Sequence, residues 1–249
     1  MEYRYCENRN WEDFSSGRVL YGTGGVPNFP VRLANEMYRR ALACVQADGG
    51  RQQEEGIVLY DCCCGGGYSL TVLGLMNQGS IRRIYASDID RDMLSIARIN
   101  LSLLTREGME RRRKELERLL AEYQKPSHKE ALQSLDRLEQ LLEKEIPCTI
   151  FAWDAMEEAD TEGRECRVSP PGFRPDIILT DVPYGNLVEW EGGKGGGMER
   201  MLSSLSHRFG SGVVLAVCMD KKQKPNLEKM EILDKEMIGK RKFVIGRLR

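Results

Sequence analysis

The sequence of 249 residues lacks any apolar run that approaches the roughly 20 residues needed to cross a bilayer. Its first five residues contain no apolar signal region. The density of cysteine that marks a disulfide framework is also missing, because eight cysteines are spread over a chain of this length. These absences predict a cytoplasmic protein with reduced thiols and no membrane partner.

Metal-ligand patterns are also scarce. Cysteines 62, 63 and 64 form a run, but no second cysteine cluster accompanies it, and the two histidines, His128 and His207, fall in predicted polar helical segments. Zinc sites usually pair cysteines at CxxC-like spacing with two further ligands elsewhere. We therefore expect no metal, and we interpret the cysteine run as small side chains that fill a tight turn.

An excess of charge of either sign is absent as well. The formal net charge is -1, so the sequence carries no global sign of nucleic-acid binding. Local basic runs occur at residues 111–114, 221–224 and 240–249. Any one of these runs alone is more typical of a solvated surface than of a binding site.

What is present is an alternation of strand and helix patterns. Predicted strands lie at about 57–61, 82–88, 148–153, 175–180 and 212–218, and predicted helices lie at about 31–44, 68–77 and 91–104. Two further strands flank residues 238–240. The pattern predicts a Rossmann-like α/β fold, with a mostly parallel sheet and a C-terminal antiparallel hairpin.

One charged, leucine-containing segment departs from this alternation. Residues at about 107–145 predict an inserted helical hairpin that breaks near Pro126, with Ser127 and Glu130 as a capping box. The hairpin is either a packed appendage or an arm that grips substrate through residues 111–114. We expect residues 1–50 to be an N-terminal extension packed on the core, and residues 51–249 to be the main domain, which contains the hairpin as an insertion.

Three motifs follow predicted strands and would open onto one crevice, because ligands bind beyond the carboxyl ends of parallel strands. Asp61 precedes a glycine-rich loop in which Gly65 and Gly67 allow close approach of a ligand. Asp88 suits the ribose hydroxyls of a nucleoside, with Asp90 as an alternative or a helix cap. Asp154 suits an adenine amino group, with Trp153 or Ala155 beside the ring.

The motif nearest to chemistry is formed by Asp181, Val182, Pro183 and Tyr184. The Asp181 carboxylate and the Val182 carbonyl would accept hydrogens from a planar nitrogen and stabilise the charge that develops on it. Pro183 would fix the turn, and Tyr184 would stack on a base. We therefore predict these four residues to be catalytic.

Together these segments resemble the avilamycin-resistance rRNA methyltransferase family, which modifies a guanine in 23S rRNA. The matching segments are 29–34 (FPVRLA), 61–68 (DCCCGGGY), 71–75 (TVLGL), 86–90 (ASDID), 125–127 (KPS), 179–185 (LTDVPYG) and 190–192 (WEG). Two positions depart from the family pattern: Cys62 replaces a usual proline, and Val182 replaces the proline that is frequent in related amino-methyltransferases.

The resemblance implies an enzyme with the class I methyltransferase fold that uses S-adenosylmethionine to methylate guanine N1 or N2 of 23S rRNA, in resistance or in housekeeping. We expect it to be a monomer. The cofactor-binding residues that we expect are Asp61, Cys63, Gly65, Gly67, Tyr68, Asp88, Ile89, Asp154, Ala155 and Asp181. Substrate contacts are expected from Arg32, Trp190 and Glu191, with phosphate contacts also from the basic end of the hairpin and from residues 221–224.

Two other classes of function stay open at this point. One is a methyltransferase that acts on adenine in DNA or on glutamine in protein, since both nitrogens suit the same acceptor motif. The other is a non-catalytic factor that binds S-adenosylmethionine and RNA.

Overall fold

The computed structural model describes residues 2–15, 17–22, 28–47, 56–157, 173–182 and 196–249. The helices are α1 (Val31–Ala47), α2 (Tyr68–Met76), α3 (Arg91–Ser102), α4 (Arg106–Tyr123), α5 (Pro126–Glu139) and α6 (Gly197–Phe209), preceded by a 3-10 helix at Glu12–Phe14. The strands are β1 (Ile57–Asp61), β2 (Ile81–Asp88), β3 (Cys148–Ala152), β4 (Ile177–Asp181), β5 (Val214–Asp220), β6 (Met230–Ile238) and β7 (Arg241–Leu248).

These strands form one sheet in the order β3-β2-β1-β4-β5-β7-β6. Strands β1 to β5 pair in parallel, whereas β7 pairs antiparallel with both β5 and β6. The predicted fold class is therefore confirmed. The strand order reverses between β1 and β4, and the carboxyl ends of the two strands at such a reversal are where open α/β sheets bind ligands.

Alternate side chains of the central strands pack on opposite faces of the sheet. Leu59 and Leu179 belong to the core that includes residues of α1, α2 and α3. Tyr60 and Ile178 belong to a second core with Met201 and other residues of α6. Strands covered on both faces can be apolar at every position, which is why β1 and β5 are continuous apolar runs in the sequence.

The helices α4 and α5 pack on each other and on the N-terminal segment. The predicted capping box at Ser127 and Glu130 is wrong, because Lys125 is the N-cap of α5 and its side chain makes no capping hydrogen bond. Pro126 lies in the first turn, where its missing N–H costs nothing and its fixed φ favours a helix start. Ser127 is therefore inside the helix, where its hydroxyl cannot act as the cap.

No helix within the described ranges is both long enough and apolar enough to pass through a membrane.

Candidate active site

Acidic side chains end three neighbouring parallel strands. Asp61 ends β1, Asp88 ends β2 and Asp181 ends β4. Strand β1 lies between β2 and β4, with Asp61 level with Ala86 of β2. Because parallel strands share one carboxyl edge, the three carboxyl groups lie along the same edge of the sheet, next to the reversal of strand order.

Backbone hydrogen bonds shape the glycine loop that follows β1. The Cys63 N–H donates to Asp61 Oδ1 over 3.0 Å, and the Gly65 N–H donates to Asp88 Oδ2 over 2.7 Å. Gly65 and Gly67 have φ values of 50° and 71°, which favour glycine. A Cβ on Gly67 would stand 3.1 Å from Ala97 of α3. The loop is thus fixed by the same carboxylates that line the edge, and Gly67 allows α3 to pack closely.

Asp88 and Asp90 have different partners. Asp88 accepts hydrogen bonds from the N–H groups of Gly65 and Asp90, and Ile89 beside it is exposed. Asp90 is the N-cap of α3 and accepts from the N–H groups of Asp92 and Met93 over 2.8 and 3.2 Å. Of the two roles considered for Asp90 from the sequence, the structure therefore supports the helix cap.

The turn after β3 lies beside the end of β2. The Trp153 N–H donates to the Asp88 carbonyl over 3.1 Å, and Asp154 Oδ1 accepts from the Met156 N–H over 2.8 Å. The Trp153 side chain is buried in the second core, with the Arg208 guanidinium 5.1 Å from its ring centroid. Ala155 is buried as well. The turn therefore places Asp154 at the same carboxyl edge of the sheet as Asp88.

Burial dominates the electrostatics of this edge. It raises the pKa of Asp61 to about 7 and the pKa of Asp181 to about 6, and it also raises the pKa of Asp88. The negative charges of Asp88 and Asp181 raise the pKa of Asp61 further, whereas the positive charge of Arg241 partly opposes the effect at Asp181. A cationic ligand would stabilise the ionised form of all three groups.

Asp181 has an oxygen that is open to an additional partner. Its Oδ1 is buried without a hydrogen-bond partner among the described residues. Val182, the next residue, is fully buried, and its N–H donates to the Cys218 carbonyl of β5 over 3.1 Å. A buried acceptor without a donor is costly, so this oxygen suits a donor on a bound molecule.

Tyr68 and Asn100 connect the glycine loop to the N-terminal segment. The Tyr68 hydroxyl donates to the Phe14 carbonyl over 2.7 Å. Asn100 Nδ2 donates to the carbonyls of Gly66 and Tyr21, over 2.8 and 3.0 Å, and Asn100 Oδ1 accepts from the Tyr21 N–H. Asn100 was not among the predicted site residues, although a polar residue beside Leu101 on the apolar face of a helix indicates a buried side chain.

Arg32 contacts other parts of the protein. Its guanidinium donates twice to the Cys6 carbonyl, over 3.1 and 2.9 Å, and lies 3.7 Å from the Tyr3 ring centroid. These contacts attach the N-terminal residues to α1, and the substrate contact expected of Arg32 stays a prediction.

The cations of the hairpin have acidic partners. Arg111 pairs with Glu107 and Lys114 with Glu110, and Arg113 bridges the helices to Asp136 and Glu139; Arg112 is buried against Glu115. The basic end of the hairpin is therefore largely neutralised by its own helices, which weakens the expectation that it contacts phosphates.

The cysteine run forms the start of the glycine loop. Cys62 and Cys64 are buried, burial raises the pKa of the Cys64 thiol well above its usual value, and the Cys64 N–H donates to the Ser87 carbonyl. No group of three or more potential metal ligands was found in the described part of the chain. Pro183 and Tyr184, which are predicted to be catalytic, lie outside the described residues, as do the predicted substrate contacts Trp190 and Glu191.

Comparison with known proteins agrees with this geometry. Residues 1–241 match the family model of the rRNA methyltransferase AviRa. The chain is 36% identical over 250 residues to the 23S rRNA (guanine(2535)-N(1))-methyltransferase of Streptomyces viridochromogenes. The alignment covers 98% of this chain and 95% of that protein.

Solved structures show the same similarity. The rRNA methyltransferase aviRa from Streptomyces viridochromogenes, solved at 1.5 Å, superposes with a TM-score of 0.84 at 35% identity, covering 99% of this chain and 96% of the other. The N-terminal domain of human METTL16 in complex with SAH superposes with a TM-score of 0.53 at 11% identity, covering 95% of this chain and 77% of the other. The second similarity concerns the fold alone.

Proposed function

Because the chain belongs to the AviRa family of rRNA methyltransferases, we propose that it transfers a methyl group from S-adenosylmethionine to N1 of a guanine in 23S rRNA. The choice of N1 over N2 follows the relative from Streptomyces viridochromogenes, which is an N1-methyltransferase. The observation that carries the proposal is the buried Asp181 Oδ1, an acceptor without a partner among the described residues at the end of β4.

The residues at the carboxyl edge fit the proposed cofactor. S-adenosylmethionine supplies an electrophilic methyl group on a positively charged sulfonium, and it also carries an ammonium group. Its own carboxylate leaves the molecule with one net positive charge. Three carboxyl groups with raised pKa values, those of the buried Asp61 and the partly buried Asp88 and Asp181, are suited to its two cationic groups.

Each part of the cofactor has candidate partners in this chain. We assign the ammonium group to Asp61 and the glycine loop, the ribose to Asp88 and Ile89, and the adenine to Asp154 and Ala155. The full set of proposed cofactor residues is Asp61, Cys63, Gly65, Gly67, Tyr68, Asp88, Ile89, Asp154, Ala155 and Asp181.

Asp181 is the proposed general base. Guanine N1 carries a proton that must leave before the nitrogen can act as a nucleophile. With a pKa of about 6, Asp181 is mostly ionised at neutral pH and is a stronger base than an ordinary carboxylate. The Val182 carbonyl would accept a hydrogen bond from the amino group of the guanine, Pro183 would fix the turn, and Tyr184 would stack on the face of the guanine. We also propose that Trp190 and Glu191 contact the target.

We also propose the domain division that the sequence predicts. Residues 1–50 would be an extension of a single methyltransferase domain, residues 51–249, with the hairpin as an insertion. Hydrogen bonds from Tyr68 to Phe14 and from Asn100 to Tyr21 support an extension that packs on the core.

Methyl transfer from labelled S-adenosylmethionine tests the function directly. Protein-free 23S rRNA, 16S rRNA, tRNA and duplex DNA would be compared side by side, followed by digestion of the labelled species to nucleosides. We expect label in 23S rRNA as N1-methylguanosine. Label only in DNA, or no label in nucleic acid while the cofactor still binds, would favour the alternative substrates or the non-catalytic role.

Asp181→Asn tests the base. The amide keeps the shape of the side chain but cannot take the proton, so we expect kcat to fall about 10²- to 10⁴-fold. Urea unfolding reports whether the variant is folded, because Asp181 is itself a proposed cofactor residue and cofactor binding is therefore not an independent control. In the wild type, kcat/KM for the cofactor should decline as the pH falls below about 6, because this ratio reports the ionisation of Asp181 in the free enzyme, before the cations of the cofactor lower its pKa. A wild-type rate in the variant would rule out this role.

A further inference from the structure

Two turns rich in lysine stand side by side near Asp181. Asp181 is in register with Cys218 of β5, and β5 ends at Asp220, two residues or about 7 Å further along the strand. Asp220 is in register with Arg241, the first residue of β7. The segment that follows β5 and the turn that precedes β7 therefore meet at the carboxyl edge of the sheet.

A hydrogen bond from the Lys221 N–H to the Lys240 carbonyl, 3.0 Å long, joins the two turns. The Lys242 Nζ donates to the Gln223 carbonyl. We call this cluster the basic rim; its members are Lys221, Lys222, Lys224, Lys240 and Lys242.

The exposed lysines of the basic rim lack ion pairs within the described part of the chain, and the negative charge of Asp220 acts on Lys242. Lys221, Lys222, Lys224 and Lys240 are exposed, and no described carboxylate forms an ion pair with any of them. Burial, reinforced by the charge of Lys224, lowers the pKa of Lys242. Like charges are thus held close together, an arrangement that an anion would stabilise.

This environment differs from that of the hairpin cations. Arg111, Arg113 and Lys114 each pair with an acid of their own hairpin. The runs at 111–114 and 221–224 are indistinguishable as basic segments in the sequence, and the structure separates them by their partners. The β6–β7 turn adds Lys240 and Lys242, which are distant in sequence from the run at 221–224.

We propose that the basic rim is the surface that binds the RNA backbone and brings the target base to Asp181. This inference rests on the proposed function and adds the location of the contact. Regularly spaced phosphates match a cluster of flexible, unpaired lysines, and such contacts fix the position of the RNA without reading its sequence. Each lysine that neutralises a phosphate contributes about 0.7 to 0.9 to the slope of log affinity against log salt concentration.

The test compares two triple variants with equal changes in charge. The rim variant carries Lys221→Gln, Lys222→Gln and Lys240→Gln, all at exposed positions where the side chain makes no hydrogen bond or ion pair with a described residue. The control variant carries Arg118→Gln, Lys129→Gln and Lys144→Gln, which are exposed and lie outside the rim. Filter binding of labelled, protein-free 23S rRNA would be measured from low to high salt, with cofactor affinity as a measure of folding.

For the rim variant we expect affinity for RNA to fall about 10- to 100-fold at low salt and the salt slope to fall by about 2 to 3. KM for RNA should rise while kcat at saturating RNA is kept. The control should stay close to the wild type.

A rim variant with wild-type affinity and slope, or an equal loss in the control, would overturn the inference even if the wild type methylates 23S rRNA. Salt-dependent binding that is lost in the rim variant, without methyl transfer by the wild type, would support the rim and reject the proposed reaction.

Discussion

At the residue scale, the charge of Asp61 opposes folding. An aspartate in an unfolded chain has a pKa of about 3.9, whereas burial raises the pKa of folded Asp61 to about 7. The folded protein therefore binds the proton more tightly than the unfolded chain does. The contribution of Asp61 to the free energy of unfolding is therefore highest below about pH 4, declines between about pH 4 and pH 7, and is constant above that range.

Asp61→Asn should reverse this effect. A difference of about 3 between the folded and unfolded pKa values of Asp61 corresponds to a loss of ~4 kcal/mol at most in the free energy of unfolding, and relaxation around the site will reduce this loss. We expect the variant to be more stable than the wild type at pH 8 by about 1–3 kcal/mol, with little difference at pH 4.5, while its affinity for S-adenosylmethionine falls. Urea unfolding at the two pH values measures the first effect and calorimetry the second. A variant that loses stability at pH 8 would show that the carboxylate is stabilised by contacts other than those described.

At the scale of the element, the inserted hairpin supports the glycine loop through the N-terminal segment. Arg112 of α4 is 6% exposed. Its guanidinium donates to the carbonyls of Val19 and Arg18 over 3.0 and 2.9 Å, and to the Tyr21 hydroxyl over 2.9 Å. Through Tyr21 and Asn100 this chain of bonds reaches the Gly66 carbonyl.

Arg112→Met should therefore affect both stability and the cofactor site. Loss of a buried, hydrogen-bonded charge leaves two carbonyls without donors, and we expect a cost of about 2–4 kcal/mol. Cofactor affinity should fall too, since the loop loses its support. Arg113→Met is the matched control, because Arg113 pairs with acids at the surface and should cost no more than about 1 kcal/mol. Urea unfolding and cofactor titration measure both; equal effects of the two substitutions would contradict the proposed support.

Elements differ in how far the sequence predicts them. The central strands were predicted within about three residues at each end, because their apolar runs are continuous and end at aspartates. Helix α6 was not predicted, although Met198, Met201, Leu202 and Leu205 have helical spacing. The capping box failed because Pro126 can begin a helix without a side-chain cap. The ion pairs from Arg113 to Asp136 and Glu139 depend on α4 and α5 packing together, which residue order alone does not specify. The pairs of Arg111 and Lys114 join residues four apart within α4, so their spacing in the sequence predicts them.

At the scale of the whole molecule, the carboxyl edge is a property of the sheet. Asp61, Asp88 and Asp181 are each readable from the sequence as strand ends. Their raised pKa values are not, because these depend on burial by helices on both faces and on the proximity of the three charges. The sequence therefore predicts the composition of the candidate site, and packing determines its charge state.

Binding of a cation to this edge should release protons. The positive charges of S-adenosylmethionine would lower the pKa values of the carboxyl groups, above all of Asp61, which is about half protonated near pH 7 in the free protein. We expect the binding heat at pH 6.5 to depend on the ionisation enthalpy of the buffer, with release of a fraction of a proton to about one proton, and the dependence to fade by pH 8.5. Asp61→Asn should reduce the release, and S-adenosylhomocysteine, which lacks the sulfonium charge, should release fewer protons than S-adenosylmethionine. A binding heat at pH 6.5 that is independent of the buffer would mean that the carboxyl edge is already ionised before the cofactor arrives, and the electrostatic argument for the cofactor site would fail.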